Sequence, residues 1–367
     1  MGLDEPGLNR VQINTTAAYG FNPPLSDMAT VINGNVDAPG GAARRTFPFV
    51  MAMQSPEFTN PRSWAWQATV DRNLPWQMRT QVSYVGRAAS NLERARNINA
   101  LPVGTIQANR GVNANALRPY LGFGSITLYE TTGRSRYHSM QLQAERRATQ
   151  GLGFSISYTL SRTEDDASGR GDILPPLVDE DDYYGISDLD RPHVLVSQVR
   201  YRFPALDTAP AGLRYALGGW DVTGIFQAQS GSPFSIDTNV DIAGVGPGSG
   251  SQFYDLVGDP NNGRTEFDGT RAVWFDRNAF RAPAPGTIAT SQEKNTLRQP
   301  GFWDLHMSLR KAFPVGTHRV ELRWEAFNVL NRTRLGNATT NPNLADFGTI
   351  TSLTGNRTMQ VGLQYIF

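Results

Sequence analysis

Nine segments of this chain place apolar side chains at every second position for about ten residues each, a period that suits strands and excludes amphipathic helices. Successive strand side chains point to opposite faces, so each segment carries one apolar and one mostly polar face. The clearest sets Leu152, Phe154, Ile156, Tyr158 and Leu160 against Gly153, Ser155, Ser157, Thr159 and Ser161. The same alternation runs through Trp64–Val70, Met78–Tyr84, His138–Ala144, Leu195–Phe203, Trp220–Ala228, Trp303–Leu309 and Val320–Ala326. The ninth segment closes the chain with Met359, Val361, Leu363, Tyr365 and Phe367 on one face. On the polar faces lie charges of both signs: Asp71, Arg79, Glu145, Arg200, Arg202, Asp304, Arg310, Glu321, Arg323 and Glu325.

The connections alternate as regularly as the strands. Short ones (73–76, 148–151, 314–317) and a medium one (204–218) take turns with long ones (88–134, 163–191, 231–301, 331–356). Short turns at one end and long loops at the other are the pattern of a transmembrane β-barrel. A soluble sandwich has no reason to keep this order, and its loops rarely exceed about 15 residues without structure of their own. No window approaches the roughly 18 apolar residues that a membrane helix needs. If this chain spans a membrane it therefore does so as a closed barrel, where every backbone group is paired. The mean hydropathy of −0.39 is no objection, because barrel strands give half their side chains to a polar lumen. Aromatic residues gather near strand ends, as interfacial girdles require: Trp64, Trp66, Trp76, Tyr201, Phe203, Trp303, Phe313, Tyr365 and Phe367.

Several classes of function find no support. A net charge of +1 offers no electrostatic case for nucleic acid. The four histidines, His138, His193, His306 and His318, lie on separate segments without ligand spacing, so no metal or other cofactor is expected. Nucleophile-elbow, zinc-protease and phosphate-loop motifs are all missing from the sequence, and no catalytic residue is proposed. Cysteine is absent, and only Lys294 and Lys311 of the 34 basic residues are lysine, a bias that fits genomic base composition. The stretch Glu164–Asp190 is strongly acidic, but its spacing does not match the Asp-x-Asp-x-Asp-Gly calcium loop, so it reads as a solvated external loop. Within it, Arg170-Gly171-Asp172 matches a cell-adhesion tripeptide, a signal too short to carry weight. The amino terminus has no basic region, apolar core or cleavage site. The chain thus reads as the carboxy-terminal piece of a longer exported protein, or as a truncated gene product. Residues 1–60 look loop-rich, with Thr46 to Met53 a candidate tenth strand, and residues 61–367 form the barrel part.

Specific stretches add a family resemblance. They are Asn60-Pro61 leading into Trp66-Gln67, Val82-Ser83-Tyr84-Val85-Gly86, Tyr137 to Gln143, Ser157-Tyr158-Thr159-Leu160-Ser161, Asp190-Arg191-Pro192-His193 and Gln229 to Phe234. Pro300-Gly301-Phe302-Trp303-Asp304, Glu325 to Asn331 and the terminal Phe367 follow in the same order. Together they resemble the carboxy-terminal part of a TonB-dependent receptor, and within that family the Oar-like group with its carboxypeptidase-regulatory-like domain. The resemblance implies a 22-stranded barrel filled by a plug and energised through a TonB box, neither of which this chain contains. It also implies that Phe367, Tyr365, Leu363, Val361 and Met359 form the signal read by the barrel insertion machinery. The expected partners are outer-membrane lipid, that machinery, the plug and TonB complex through the missing upstream part, and a ligand of unknown kind held by the external loops. The lumen charges Arg79, Glu145, Arg200, Arg202, Asp304, Arg310, Glu321, Arg323 and Glu325 are candidates for a plug-facing surface. The alternative is a secreted or surface-attached β-sandwich that acts in adhesion without transport.

Overall fold

The computed structural model describes residues 12–14, 48–149, 151–176, 180–290 and 294–367. Nine strands form one continuous antiparallel meander. They are β1 (Arg62–Leu74), β2 (Met78–Asn97), β3 (Phe123–Thr149), β4 (Leu152–Asp165) and β5 (His193–Arg202), then β6 (Asp221–Gln229), β7 (Phe302–Val315), β8 (His318–Phe327) and β9 (Thr358–Ile366). Each pairs with its neighbour in sequence. Nine alternating segments in the sequence thus become nine wall strands. Among the described residues β1 and β9 are each paired on one side only, so the sheet is an open part of a barrel.

Register keeps the two faces separate across the whole wall. Ile156 stands opposite Ala144 and Ser197, and Ser157 opposite Gln143 and Val196. Leu322 stands between Lys311 and Leu363, and Glu321 between Ala312 and Gln364. The outward set, including Trp64, Val70, Val82, Ile156, Val199, Val361 and Leu363, is exposed, the reverse of a soluble protein's arrangement. One sheet with its apolar face uncovered is also not a sandwich, which needs a second sheet on that face.

The short turns follow local chemistry. Gly316 takes φ +62° between the paired Val315 and His318, a conformation that a two-residue hairpin turn requires and that glycine adopts without strain. Gly86 serves packing: a Cβ there would lie 2.2 Å from the indole of Trp66, which covers the glycine from the neighbouring strand.

The long connections hold more structure than their sequence announces. The expected loop 88–134 is nearly half hairpin arm, since β2 and β3 stay paired out to Asn97 and Thr127. Beyond Ala89 a bulge breaks the register, and Ser90, Asn91, Glu93, Arg94, Arg96 and Asn97 supply no apolar face, so the period-two signal ends while the backbone ladder goes on. A strand that overlaps the expected 46–53 region forms at Phe49–Gln54. It runs parallel to the outer end of β3 and antiparallel to Gln12–Asn14, outside the wall meander. Thr46 and Phe47 lie outside the described residues. The 231–301 and 331–356 connections pair through Ala272–Val273 and Thr349–Ile350. They share a core of Ile236, Phe275, Ala338, Phe347 and Ile350, where Phe275 meets Phe347 edge to face at 5.2 Å. The apolar core of the molecule therefore sits in the loops.

Candidate functional site

Three surfaces have the build of functional sites: the lumen wall, the assembly of long loops and the outward face.

On the lumen wall most of the predicted charges form ion pairs, chiefly across neighbouring strands and once, Arg323 with Glu325, along a single strand. Arg79 lies 3.2 Å from Asp71 on β1 and 3.9 Å from Glu145 on β3. Asp221 is the hub of a larger cluster, with Arg200 Nε at 2.8 Å, Arg202 at 3.3 Å and Arg310 at 3.8 Å. Arg310 also reaches Glu321 at 3.4 Å, while Arg323 pairs with Glu325, which accepts from Gln360. Gln198, Arg200, Asp221, Thr223, Ser308, Arg310 and Arg323 line an open recess of about 290 Å³. Most of these guanidiniums remain half-exposed, so each pair adds no more than about 1 kcal/mol to the fold. Their free edges are available to a second surface. Asp304 sits elsewhere: it is buried and held by Arg334 from the 331–356 connection, so it ties a loop to the wall.

The long loops converge on the 231–301 connection. The 98–122 loop joins it through Leu101 N–H to Val245 O, Gly104 N–H to Ala243 O and Arg118 to Pro247 O. The acidic connection joins it through two salt bridges and a side-chain hydrogen bond. Lys294 reaches Asp165 at 2.6 Å, Asn295 donates to Asp188 at 2.6 Å, and Arg298 contacts Asp190 at 2.5 Å. Asp166 meets Arg94 and Arg134, each at 3.6 Å. The expectation of a solvated acidic loop is thus corrected at Asp165, Asp166 and Asp190, which are buried. Their basic partners come from other connections, which no reading of the loop alone brings together. Burial holds the Asp166 carboxyl above the usual range, against the opposing pull of the Arg134 N–H and of Arg94 and Arg134. The adhesion-like tripeptide is engaged internally. Arg170 pairs with Glu93 at 3.0 Å and lies over Tyr129, while Asp172 accepts from Gly169 N–H. Among the described residues no cluster of His, Asp or Glu is arranged to hold a metal ion.

Between the acidic connection and the 231–301 loop lies a cavity of about 470 Å³. Tyr183, Phe234 and Phe253 give it ring faces, and Asp172, Asp188, Asp237, Lys294 and Asn295 give it polar ones. Burial, reinforced by Asp188, raises the Asp237 carboxyl above its ordinary value, although Ser251 opposes this by donating a hydrogen bond. Burial likewise raises the Tyr183 phenol, with Asp172, Asp188 and Asp237 adding to it. Sequence reasoning missed this cavity, because its walls come from four segments each about forty or more residues from the next.

The outward face carries the terminal set where alternation placed it. Met359, Val361, Leu363 and Tyr365 stand opposite Ala326, Trp324, Leu322 and Val320, and Phe367 is 92% exposed beside Tyr365. His138 and His193 also face outward, where each accepts or donates through Nδ1 to a tyrosine hydroxyl: Tyr84 at 2.8 Å and Tyr158 at 2.7 Å. His306 faces the lumen side and takes the Asn328 N–H at 3.0 Å, while the His318 ring lies 5.5 Å from that of Tyr365, tilted by 31°.

The sequence profile described as "Outer membrane beta barrel domain" matches residues 3–360. This chain belongs to the outer membrane β-barrel family. It is a protein of the cell outer membrane that crosses by strands, and among the described residues no helix is long and apolar enough to do so. No curated protein matches the sequence at a significant level. Among solved structures it is similar to the outer membrane transporter YddB from Escherichia coli, at 11% identity and a TM-score of 0.46, covering 85% of this chain and 33% of that one. It is also similar to the FrpB iron transporter from Neisseria meningitidis, at 13% identity and a TM-score of 0.41, covering 87% and 33%. The ferripyoverdine receptor of Pseudomonas aeruginosa matches at 12% identity and a TM-score of 0.41, covering 84% and 27%. The chain thus spans at most about a third of the length of these proteins.

Proposed function

We propose that this chain is the carboxy-terminal part of the barrel of a TonB-dependent outer-membrane receptor or transporter of the Oar-like group, acting by binding and passage of a ligand rather than by catalysis. The observation that carries the reading is a wall of this family that, among the described residues, has nine strands and two unpaired edges, capped on one side by loops that fold together around a cavity. Unpaired strand edges cannot rest in hydrocarbon, so the wall needs further strands to close. Residues 61–367 are the barrel part, and residues 1–60 a loop-rich lead into it. The ligand enters through the external loops. Arg79, Glu145, Arg200, Arg202, Arg310, Glu321, Arg323 and Glu325 face a plug in the finished barrel, and Met359 to Phe367 serve as the insertion signal.

Two measurements on the full-length protein test this. An epitope inserted at Gly263, in open space within the 231–301 loop, is expected to be reachable on intact cells, and one at Gly316 to be hidden. In energised cells the protein is expected to cross-link to TonB. A folded, correctly oriented barrel that never cross-links would overturn the TonB reading and leave the barrel assignment standing.

A further inference from the structure

The connection between β5 and β6 departs from the tight turns at 75–77 and 316–317 by carrying a short helix, Ala211–Leu217. Two side chains fasten that helix to the outward face of the wall. Lys311 points outward by register, opposite Leu322 and between Leu309 and Phe313. Its ammonium donates to Tyr215 O at 2.5 Å, lies over the rings of Trp220 and Phe313 at 5.1 and 5.4 Å, and is 4% exposed. Trp220 Nε1 donates to Ala216 O at 2.8 Å. Both acceptors are carbonyls of the helix's last turn, which lack intrahelical partners and attract a cation. The rings beside this anchor, with Tyr201 against Phe203 at 4.8 Å, form the girdle at the short-turn end of the wall.

The helix itself is apolar where it is bare. Leu213, Tyr215 and Leu217 are exposed, and the spacing of Leu213 and Leu217 puts them on one side. We propose that this helix docks onto the phospholipid of the periplasmic leaflet, lying in the headgroup boundary and extending the lipid-facing band of the wall. Continuity with that band identifies the occupant, because the bilayer that covers Phe313 and Phe203 borders the helix directly. Arg214, beside the Tyr215 ring, places the one charge of the segment at phosphate level. Lys311 acts here as the tether, with its own charge turned to the helix and not to lipid.

Leu213→Cys, Leu217→Cys and, as a control, Gly316→Cys are made one at a time in the full-length protein freed of other cysteines. Each is labelled with an environment-sensitive fluorophore in vesicles of phosphatidylethanolamine and phosphatidylglycerol. At positions 213 and 217 the expected result is blue-shifted emission, quenching by headgroup-proximal spin-labelled lipid, and severalfold weaker iodide quenching than at Gly316. Iodide quenching equal to that at Gly316 would overturn the proposal. Lys311→Met is expected to raise iodide access at both positions while the barrel keeps its heat-modifiable migration. Unchanged quenching in that variant would overturn the tethering role of Lys311.

Discussion

The ammonium of Lys294 donates to the Asp165 carboxylate at 2.6 Å, and the two almost fully buried side chains are 129 residues apart in sequence. Ser168 accepts a second hydrogen bond from the same ammonium at 2.9 Å, and the Tyr183 ring lies 5.2 Å away. Lys294 and Lys311 are the only lysines of the chain, and each is buried at a junction that a compact, multiply donating cation fills.

Lys294→Met leaves Asp165 buried without its counter-ion, a change that costs about 3–5 kcal/mol when a buried pair is broken on one side. The loss is expected in the loop assembly rather than in the wall. Limited proteolysis should cut the 231–301 connection faster, with heat-modifiable migration unchanged. The double variant Lys294→Met with Asp165→Asn should recover much of the loss, and additive effects of the two substitutions would count against a coupled pair.

Asp237 gives a prediction with a defined sign. Its carboxyl is raised above its ordinary value in the folded loops, so between the unfolded and folded values the folded state binds more protons. This contribution therefore destabilises the loop assembly as pH rises through the folded value and vanishes below the ordinary one. Asp237→Asn is expected to protect the assembly at neutral pH, and the gain over the parent should fade on acidification. A gain that persists unchanged at acidic pH would refute the assignment to this carboxyl.

The faces of the wall can be tested by two neighbours. Ile156 faces outward and Ser157 faces the lumen. A charge near the bilayer midplane costs about 2–4 kcal/mol on the lipid side of a barrel and much less in the lumen. Ile156→Arg is expected to lower the yield of folded, heat-modifiable barrel well below that of Ser157→Arg. Equal yields would mean that the faces are assigned wrongly.

The wall was legible in the sequence because alternation is a local property: Leu152 to Leu160 need no partner to declare a strand and its two faces. The order of short and long connections was legible for the same reason. What escaped reading depends on contacts between distant loops or on polar ladders. The arm beyond Ala89 is held by pairs such as Arg96 with Glu130 at 2.9 Å, which leave no periodic trace. The acidic connection looked solvated because Lys294, Arg298, Arg94 and Arg134 reach it from other segments. The helix at Ala211–Leu217 escaped because seven residues carry too little period to distinguish helix from turn.

The two open edges lead to the last prediction. Among the described residues β1 and β9 each present a row of unpaired backbone donors and acceptors, and the side chains of both are exposed along nearly their whole length. Hydrocarbon offers those groups no partner, so residues 1–367 in a bilayer must pair edge to edge, recruit another chain, or fail to insert. The half-exposed arginines around Asp221 add to the difficulty, since under the proposal above they meet a plug that residues 1–367 alone would not supply. Residues 1–367 expressed alone are expected to refold poorly and to give no monodisperse, heat-modifiable species, whereas the same residues behind additional upstream strands should give one. A compact, heat-modifiable barrel from residues 1–367 alone would show β1 pairing with β9. The wall would then be a small complete barrel, and the proposal of a TonB-dependent receptor would fall with it.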